Sequence, residues 1–129
     1  DGQYSELIGG YTWHYICKNG KVSIERPYDA TYGHQCVVEP KPQGAVEIPE
    51  TLGGCPVVKI GDYAFERCSS LRSVRIPSSV TSFGYHAFAD CPRVDTVYVS
   101  RGDAARVKVK LARSGLTVDK LRFVEVDRD

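Results

Sequence analysis

Residues 60–77 read IGDYAFERCSSLRSVRIP, and residues 83–100 read FGYHAFADCPRVDTVYVS, the same outline displaced by 23 positions. Ile60 aligns with Phe83, Gly61 with Gly84, Ala64 with Ala87, Phe65 with Phe88 and Cys68 with Cys91. Further along, Leu71, Val74 and Ile76 align with Val94, Val97 and Val99. Between these positions the residues vary freely: Asp62 against Tyr85, Glu66 against Ala89, Arg72 against Asp95. Constant apolar and variable polar positions at one period describe a unit that buries the same atoms against each neighbour. One such unit is too short to enclose a core by itself.

A degenerate third copy lies upstream, where Val46, Ile48 and Pro49 correspond to Val74, Ile76 and Pro77 at an offset of 28 residues. The extra residues fall within 50–59, where Leu52-Gly53-Gly54-Cys55-Pro56 has the turn chemistry of a loop bulging from one repeat. Val74-Arg75-Ile76 alternates inward and outward as a strand does, and Pro77, which lacks an N–H, ends it. Residues 80–84 read as a second short strand on the opposite side. Ala64-Phe65 and Ala87-Phe88 fit a tight helical turn in which the small Ala leaves room for the ring. The expected core ladder is therefore Ala64, Phe65 and Cys68 stacked on Ala87, Phe88 and Cys91.

The pattern I-G-x-x-A-F-x-x-C-x-x-L-x-x-V-x-I-P, spread over residues 44–100, resembles the BspA-like, bacterial surface-antigen type of leucine-rich repeat. The resemblance implies a right-handed solenoid with a parallel β-sheet, usually carried on large secreted or cell-surface bacterial proteins and associated with adhesion and host-protein binding. With its flanks, the chain is expected to form a single domain over residues 1–129, a mixed α/β repeat. An N-terminal hairpin cap would occupy residues 1–43, the repeats residues 44–100, and a helix–strand cap residues 101–129.

The flanks carry their own signals. Tyr11, Trp13 and Tyr15 alternate along one face, and Asn19-Gly20 followed by Val22-Ser23-Ile24 predicts a β-hairpin with a type I′ turn. A solenoid end exposes apolar stripes, so these aromatics serve either as buried cover or as a sugar-binding platform. Gly9-Gly10 also reads as a turn. Asp103 as N-cap and Gly115 after the C-terminus bracket a helix over residues 104–114, with Ala104, Val107, Leu111 and Ala112 inward. Residues 121–126 follow as a final strand, and Asp127-Arg128-Asp129 as a frayed terminus.

Composition excludes several classes of function. A formal net charge of +1 is no footprint for nucleic acid, and no apolar run approaches the roughly 18 residues of a membrane span. The chain begins Asp-Gly-Gln without a signal peptide, as an internal fragment or a processed form would. There is no G-x-S-x-G elbow, no H-E-x-x-H and no phosphate-cradling glycine loop, so no enzyme activity and no cofactor are expected. His14, Cys17, His34 and Cys36 are metal-ligand types, but His14 and Cys17 fall on opposite faces of a strand and no C-x-x-C knuckle exists, so no metal site is expected.

The five cysteines are Cys17, Cys36, Cys55, Cys68 and Cys91, an odd number. Cys68 and Cys91 should point the same way in the ladder, which disfavours a bridge between them. A Cys17–Cys36 disulfide and pairings with Cys55 stay open, as do free thiols, since an exported protein permits oxidation.

For binding, the outward sheet positions matter. Glu47, Arg75 and Tyr98 should form one row, and Ala45, Ser73 and Thr96 the next. Adjacent rungs would offer a Glu47–Arg75 ion pair and an Arg75–Tyr98 cation–π contact. The ligand-facing residues are thus expected to be Glu47, Ser73, Arg75, Thr96 and Tyr98. Arg106, Lys110 and Arg113 share a helix face that suits either an anionic ligand or plain solvent. The expected function is a non-enzymatic protein-interaction or adhesion module of a secreted or cell-surface bacterial protein, monomeric, with a host or extracellular protein or glycan as partner. The alternatives are a structural spacer or capping domain, and a carbohydrate-binding module using Tyr and Trp faces.

Overall fold

The structure, a computed structural model, describes residues 1–26 and 36–127. His34 lies outside the described residues. The chain runs through β1 (Gly2–Ile8), β2 (Tyr11–Lys18), β3 (Lys21–Ile24), β4 (Val38–Glu39), β5 (Gly44–Glu47), β6 (Thr51–Leu52) and β7 (Cys55–Ile60). It continues through β8 (Leu71–Ile76), β9 (Ser82–Phe83), β10 (Thr96–Ser100), helix α1 (Ala104–Leu111), a 3₁₀ turn at Val118–Lys120 and β11 (Arg122–Val126).

The repeats generate two ladders. On one side β5, β8, β10 and β11 form a parallel sheet in that order. Its register is the sequence alignment made physical: Val46 pairs with Val74 and Val74 with Val97, while Glu47 meets Arg75 and Arg75 meets Tyr98. On the other side β3, β7 and β9 run parallel, with Ile24 beside Ile60 and Ile60 beside Phe83. The Gly61 N–H donates to the Ile24 carbonyl at 2.8 Å, and the Gly84 N–H to the Ile60 carbonyl at 2.7 Å. A Cβ at Gly84 would stand 2.5 Å from the Asp62 nitrogen, and one at Gly61 2.5 Å from Glu25 Cβ. The repeated glycine is therefore demanded by how closely each rung approaches the one before it.

Between the ladders lies the core. Ala64, Phe65, Cys68, Ala87, Phe88 and Cys91 are all buried, and the Phe65 and Phe88 rings stack at 5.0 Å with their planes 6° apart. Successive turns are joined by Tyr63 N–H to Tyr85 O (3.1 Å), Phe65 N–H to Ala87 O (2.7 Å) and Arg67 N–H to Ala89 O (2.8 Å). These segments are linked turns rather than a helical turn. Ala64 N–H does reach Gly61 O at 3.3 Å, but Tyr63 (φ 57°) and Arg67 (φ 60°) are left-handed, as are His86 and Asp90, so no helix propagates.

The hairpin β2–β3 forms as its sequence predicts, with Asn19 (φ 53°) and Gly20 (φ 73°) in the turn. Trp13 and Tyr15 are buried, and Trp13 meets the Phe65 ring edge-on at 6.2 Å. β1, which sequence reading missed, pairs antiparallel along the whole of β2. The loop expected between the first two repeats is instead the hairpin β6–β7, closed by Gly53-Gly54, with Leu52 buried. Leu52 and Val57 supply apolar anchors on strand-period positions, and these convert an insertion into structure.

At the other end α1 stops at Leu111, three residues short of expectation. Its inward residues are Val107 and Leu111; Ala104 is half-buried and Ala112 is exposed, while Ser114 is buried in its place. Asp103 makes no side-chain cap: its carboxylate accepts from Ser78 Oγ at 2.8 Å and pairs with Arg106 at 3.2 Å. β11 follows as a fourth rung of the parallel sheet, Thr96 facing Arg122 and Tyr98 facing Val124. Among the described residues no helix is long and apolar enough to cross a membrane.

Candidate functional site

The outward face of the parallel sheet brings together every ligand-facing residue proposed from sequence. One row runs Glu47, Arg75, Tyr98, Val124, and the other Ala45, Ser73, Thr96, Arg122. Arg122 and Val124 were missed because β11 lies outside the repeat and carries none of its letters. Neighbouring strands lie about 4.8 Å apart, so four rungs present a face roughly 15–20 Å wide. Glu47, Ala45 and Arg122 are exposed, while Ser73, Arg75, Thr96, Tyr98 and Val124 are half-buried among their neighbours. Among the described residues no ion pair joins Glu47 to Arg75, so their adjacency in register leaves both charges available to a ligand.

This face runs on past the β5 edge. A cleft of about 400 Å³ opens there, lined by Ala45 and Glu47 from the sheet and by Ile8, Tyr11 and Trp13 from the N-terminal strands. Tyr11 is half-buried, with its hydroxyl 3.5 Å from the Gln43 N–H. Trp13 contributes little accessible surface, since its ring is buried and its Nε1–H donates to the Ile8 carbonyl at 3.1 Å. A sugar platform built on the Trp13 face is thereby ruled out.

Residues 45–105 match the family described as BspA type leucine rich repeat region (6 copies). Over those residues the chain is similar to BspA-type leucine-rich repeats. Among solved structures it is similar to a leucine rich repeat protein of T. pallidum, with 28% identity and a TM-score of 0.54 over 78% of this chain and 45% of that one. It is also similar to a leucine rich cell surface protein from Faecalibacterium prausnitzii A2-165, with 27% identity and a TM-score of 0.53 over 78% of this chain and 24% of that one. The chain thus spans less than half the length of either. Among curated protein sequences none matches it.

Several of the remaining polar groups are engaged with one another. Arg106 donates to the Val80 carbonyl at 3.0 Å besides pairing with Asp103, which withdraws it from the basic helix face. His14 Nε2 and Arg26 Nη2 converge on Glu39 Oε1 at 2.6 and 3.1 Å. The His14 contact, helped by the Arg26 charge, holds the Glu39 carboxyl below its ordinary value. A mixed-charge groove of about 600 Å³, unseen in the sequence, lies between the second repeat turn and the C-terminal segment, with Arg72, Arg93 and Lys120 set among Asp90 and Asp95. Among the described residues no group of His, Cys, Asp and Glu is arranged to hold a metal ion.

Of the alternatives left open for the cysteines, the structure has the free thiols. All five are free thiols, and Cys17 is not joined to Cys36. Cys36 instead lies against Cys68, its Sγ 3.6 Å away, and Cys17 lies against Cys55. The possible Cys17–Cys36 bridge is not formed because Cys17 sits on β2 beside Val22 of β3, whereas Cys36 is drawn to the repeat turns by the Val37 N–H, which donates to Ala64 O at 2.8 Å.

Proposed function

We propose that the chain is a non-enzymatic protein-interaction module of a bacterial surface or secreted protein, binding through the outward face of β5, β8, β10 and β11. The observation that carries this reading is the register, which aligns variable side chains of alternating character on a rigid face while the constant letters are buried. Rows of unrelated side chains on a parallel sheet supply a partner with charge from Glu47, Arg75 and Arg122, hydroxyls from Ser73 and Thr96, and an aromatic edge from Tyr98. Rigidity matters here, because side chains fixed by neighbouring rungs lose little entropy when a ligand orders them.

The face is small beside the roughly 800 Å² that each partner contributes to a standard interface. The cleft lined by Tyr11 and Glu47 extends it, and relatives of greater length suit a surface shared with further repeats. Adhesion to a host or extracellular protein is the specific form of this reading.

Its test is a double variant, Arg75→Glu with Tyr98→Ala, assayed against purified extracellular-matrix proteins and mucin glycoprotein on a sensor surface. Binding should fall at least tenfold while the melting temperature stays put, since neither side chain belongs to the core. Equal binding by wild type and variant would refute the assignment of this face. No measurable binding by the wild type across that panel at about 100 μM would favour a spacer role.

A further inference from the structure

The Cys36–Cys68 contact links the N-terminal flank to the repeat array through two thiols. Cys36 Sγ and Cys68 Sγ stand 3.6 Å apart, in contact. Their backbones are clamped by the Val37 N–H to Ala64 O bond, since Cys68 closes the same turn that Ala64 opens. A disulfide needs an S–S separation of about 2.05 Å, so about 1.5 Å of side-chain approach closes the bridge.

We propose that Cys36 and Cys68 are a disulfide-forming pair, oxidised outside the reducing cytoplasm, which locks the segment after the N-terminal hairpin onto the first full repeat. The chemistry is thiol–disulfide exchange with a low-molecular-weight disulfide such as oxidised glutathione. The Cys36 thiolate attacks one sulfur of that disulfide, forms a mixed disulfide and releases one small thiol. Cys68 then loses its proton to the departing small thiolate as its sulfur displaces it, and the Cys36–Cys68 bond forms. Two protein thiols are oxidised, and one small disulfide is reduced to two thiols.

The order of events follows from exposure. Cys36 is half-buried and reachable, whereas Cys68 is fully buried and suits the resolving step. The Cys68 thiol beside Cys36 also favours the Cys36 thiolate, moving its pKa down, while Cys68 itself is pushed up. Cys91 also neighbours the Cys68 thiol, from the next repeat, and is the competing partner. It is buried, and its S–H donates to the Phe65 carbonyl at 3.0 Å.

The bridge does not depend on what the sheet face binds.

The test equilibrates folded chain in a glutathione redox buffer, blocks remaining thiols with iodoacetamide and maps linked peptides by mass spectrometry. Digestion with a glutamate-specific protease followed by trypsin leaves each cysteine on its own peptide. Linked Cys36 and Cys68 peptides, with Cys91 alkylated only after denaturation, are the expected result. A Cys68–Cys91 or Cys17–Cys36 link, or a natively folded chain whose Cys36 stays alkylatable at every poise, overturns the bridge. In a Cys17→Ser/Cys55→Ser background, oxidation should raise Tm by on the order of 10 °C. Adding Cys36→Ser should abolish that rise, and its persistence would overturn the bridge.

Discussion

Phe65 has an aromatic neighbour on either side, and the two come from different kinds of sequence. Toward the C-terminus Phe88 stacks on it face to face, 5.0 Å away and 6° from parallel. Toward the N-terminus Trp13 meets it edge-on, 6.2 Å away and at 70°. Units related by translation carry their rings in the same orientation, so Phe on Phe has to be parallel. Trp13 arrives on an antiparallel hairpin with no such relation, and its orientation is set by the bond from Nε1–H to Ile8 O. Backbone groups repeat the contrast. Phe65 N–H donates to Ala87 O within the array, whereas Phe88 N–H donates to Ser114 O beyond it. Each end of a stack must be given both an apolar cover and a hydrogen-bond partner, and the flanks supply these without sharing the motif.

The comparison can be broken most sharply at its centre. Phe65→Ala removes a ring packed on both sides and should cost about 4–5 kcal/mol in urea unfolding. Trp13→Ala and Phe88→Ala should each cost about 3–4 kcal/mol. Equal losses at Phe65 and Trp13 would mean that the edge-on contact packs as tightly as the stacked one. Near wild-type stability for Phe65→Ala would overturn the stacked core itself.

Next comes the C-terminal end. Gly115 has φ of 97°, and a Cβ there would lie 3.0 Å from Ala89 Cα. Gly115→Ala should therefore lower stability by about 1–3 kcal/mol, and thermal melting would show it. A smaller loss would show that the segment carrying Ser114 can shift without releasing Phe88.

The smallest expected effect is electrostatic and belongs to the N-terminal side. The Glu39 carboxyl is held low, first by His14 and then by Arg26, so its stabilisation is fully present above the unfolded carboxylate range near about pH 4.3. It is lost as pH falls through the lower folded value. The stability gap between wild type and Glu39→Gln should therefore narrow from about pH 6 to about pH 3 in a denaturation series. Because Glu39 is largely exposed, the gap itself should be small. A constant gap would show that the pairing contributes nothing.

Much of the array was legible in the sequence. The register of β5, β8 and β10, the buried Phe and Cys positions and the outward row from Glu47 to Tyr98 follow from the period, because identical apolar letters at one spacing can be satisfied together only by stacking. The Asn19-Gly20 hairpin was equally local, since φ > 0 at consecutive residues is a demand few residues meet. The candidate surface was half legible. Arg122 and Val124 join it by pairing across the sheet, and Tyr11 joins through a cleft between segments remote in sequence.

What the sequence determined by itself is the repeated unit and which of its side chains are buried. Tertiary structure alone decided which segments cover the ends of the stack, that the insertion becomes β6–β7, and that Cys36 meets Cys68 instead of Cys17. The physical reason is the range of the interactions. Periodic burial is written into every copy, whereas end cover and thiol pairing depend on which unmet hydrogen bonds and apolar edges remain once the copies have stacked.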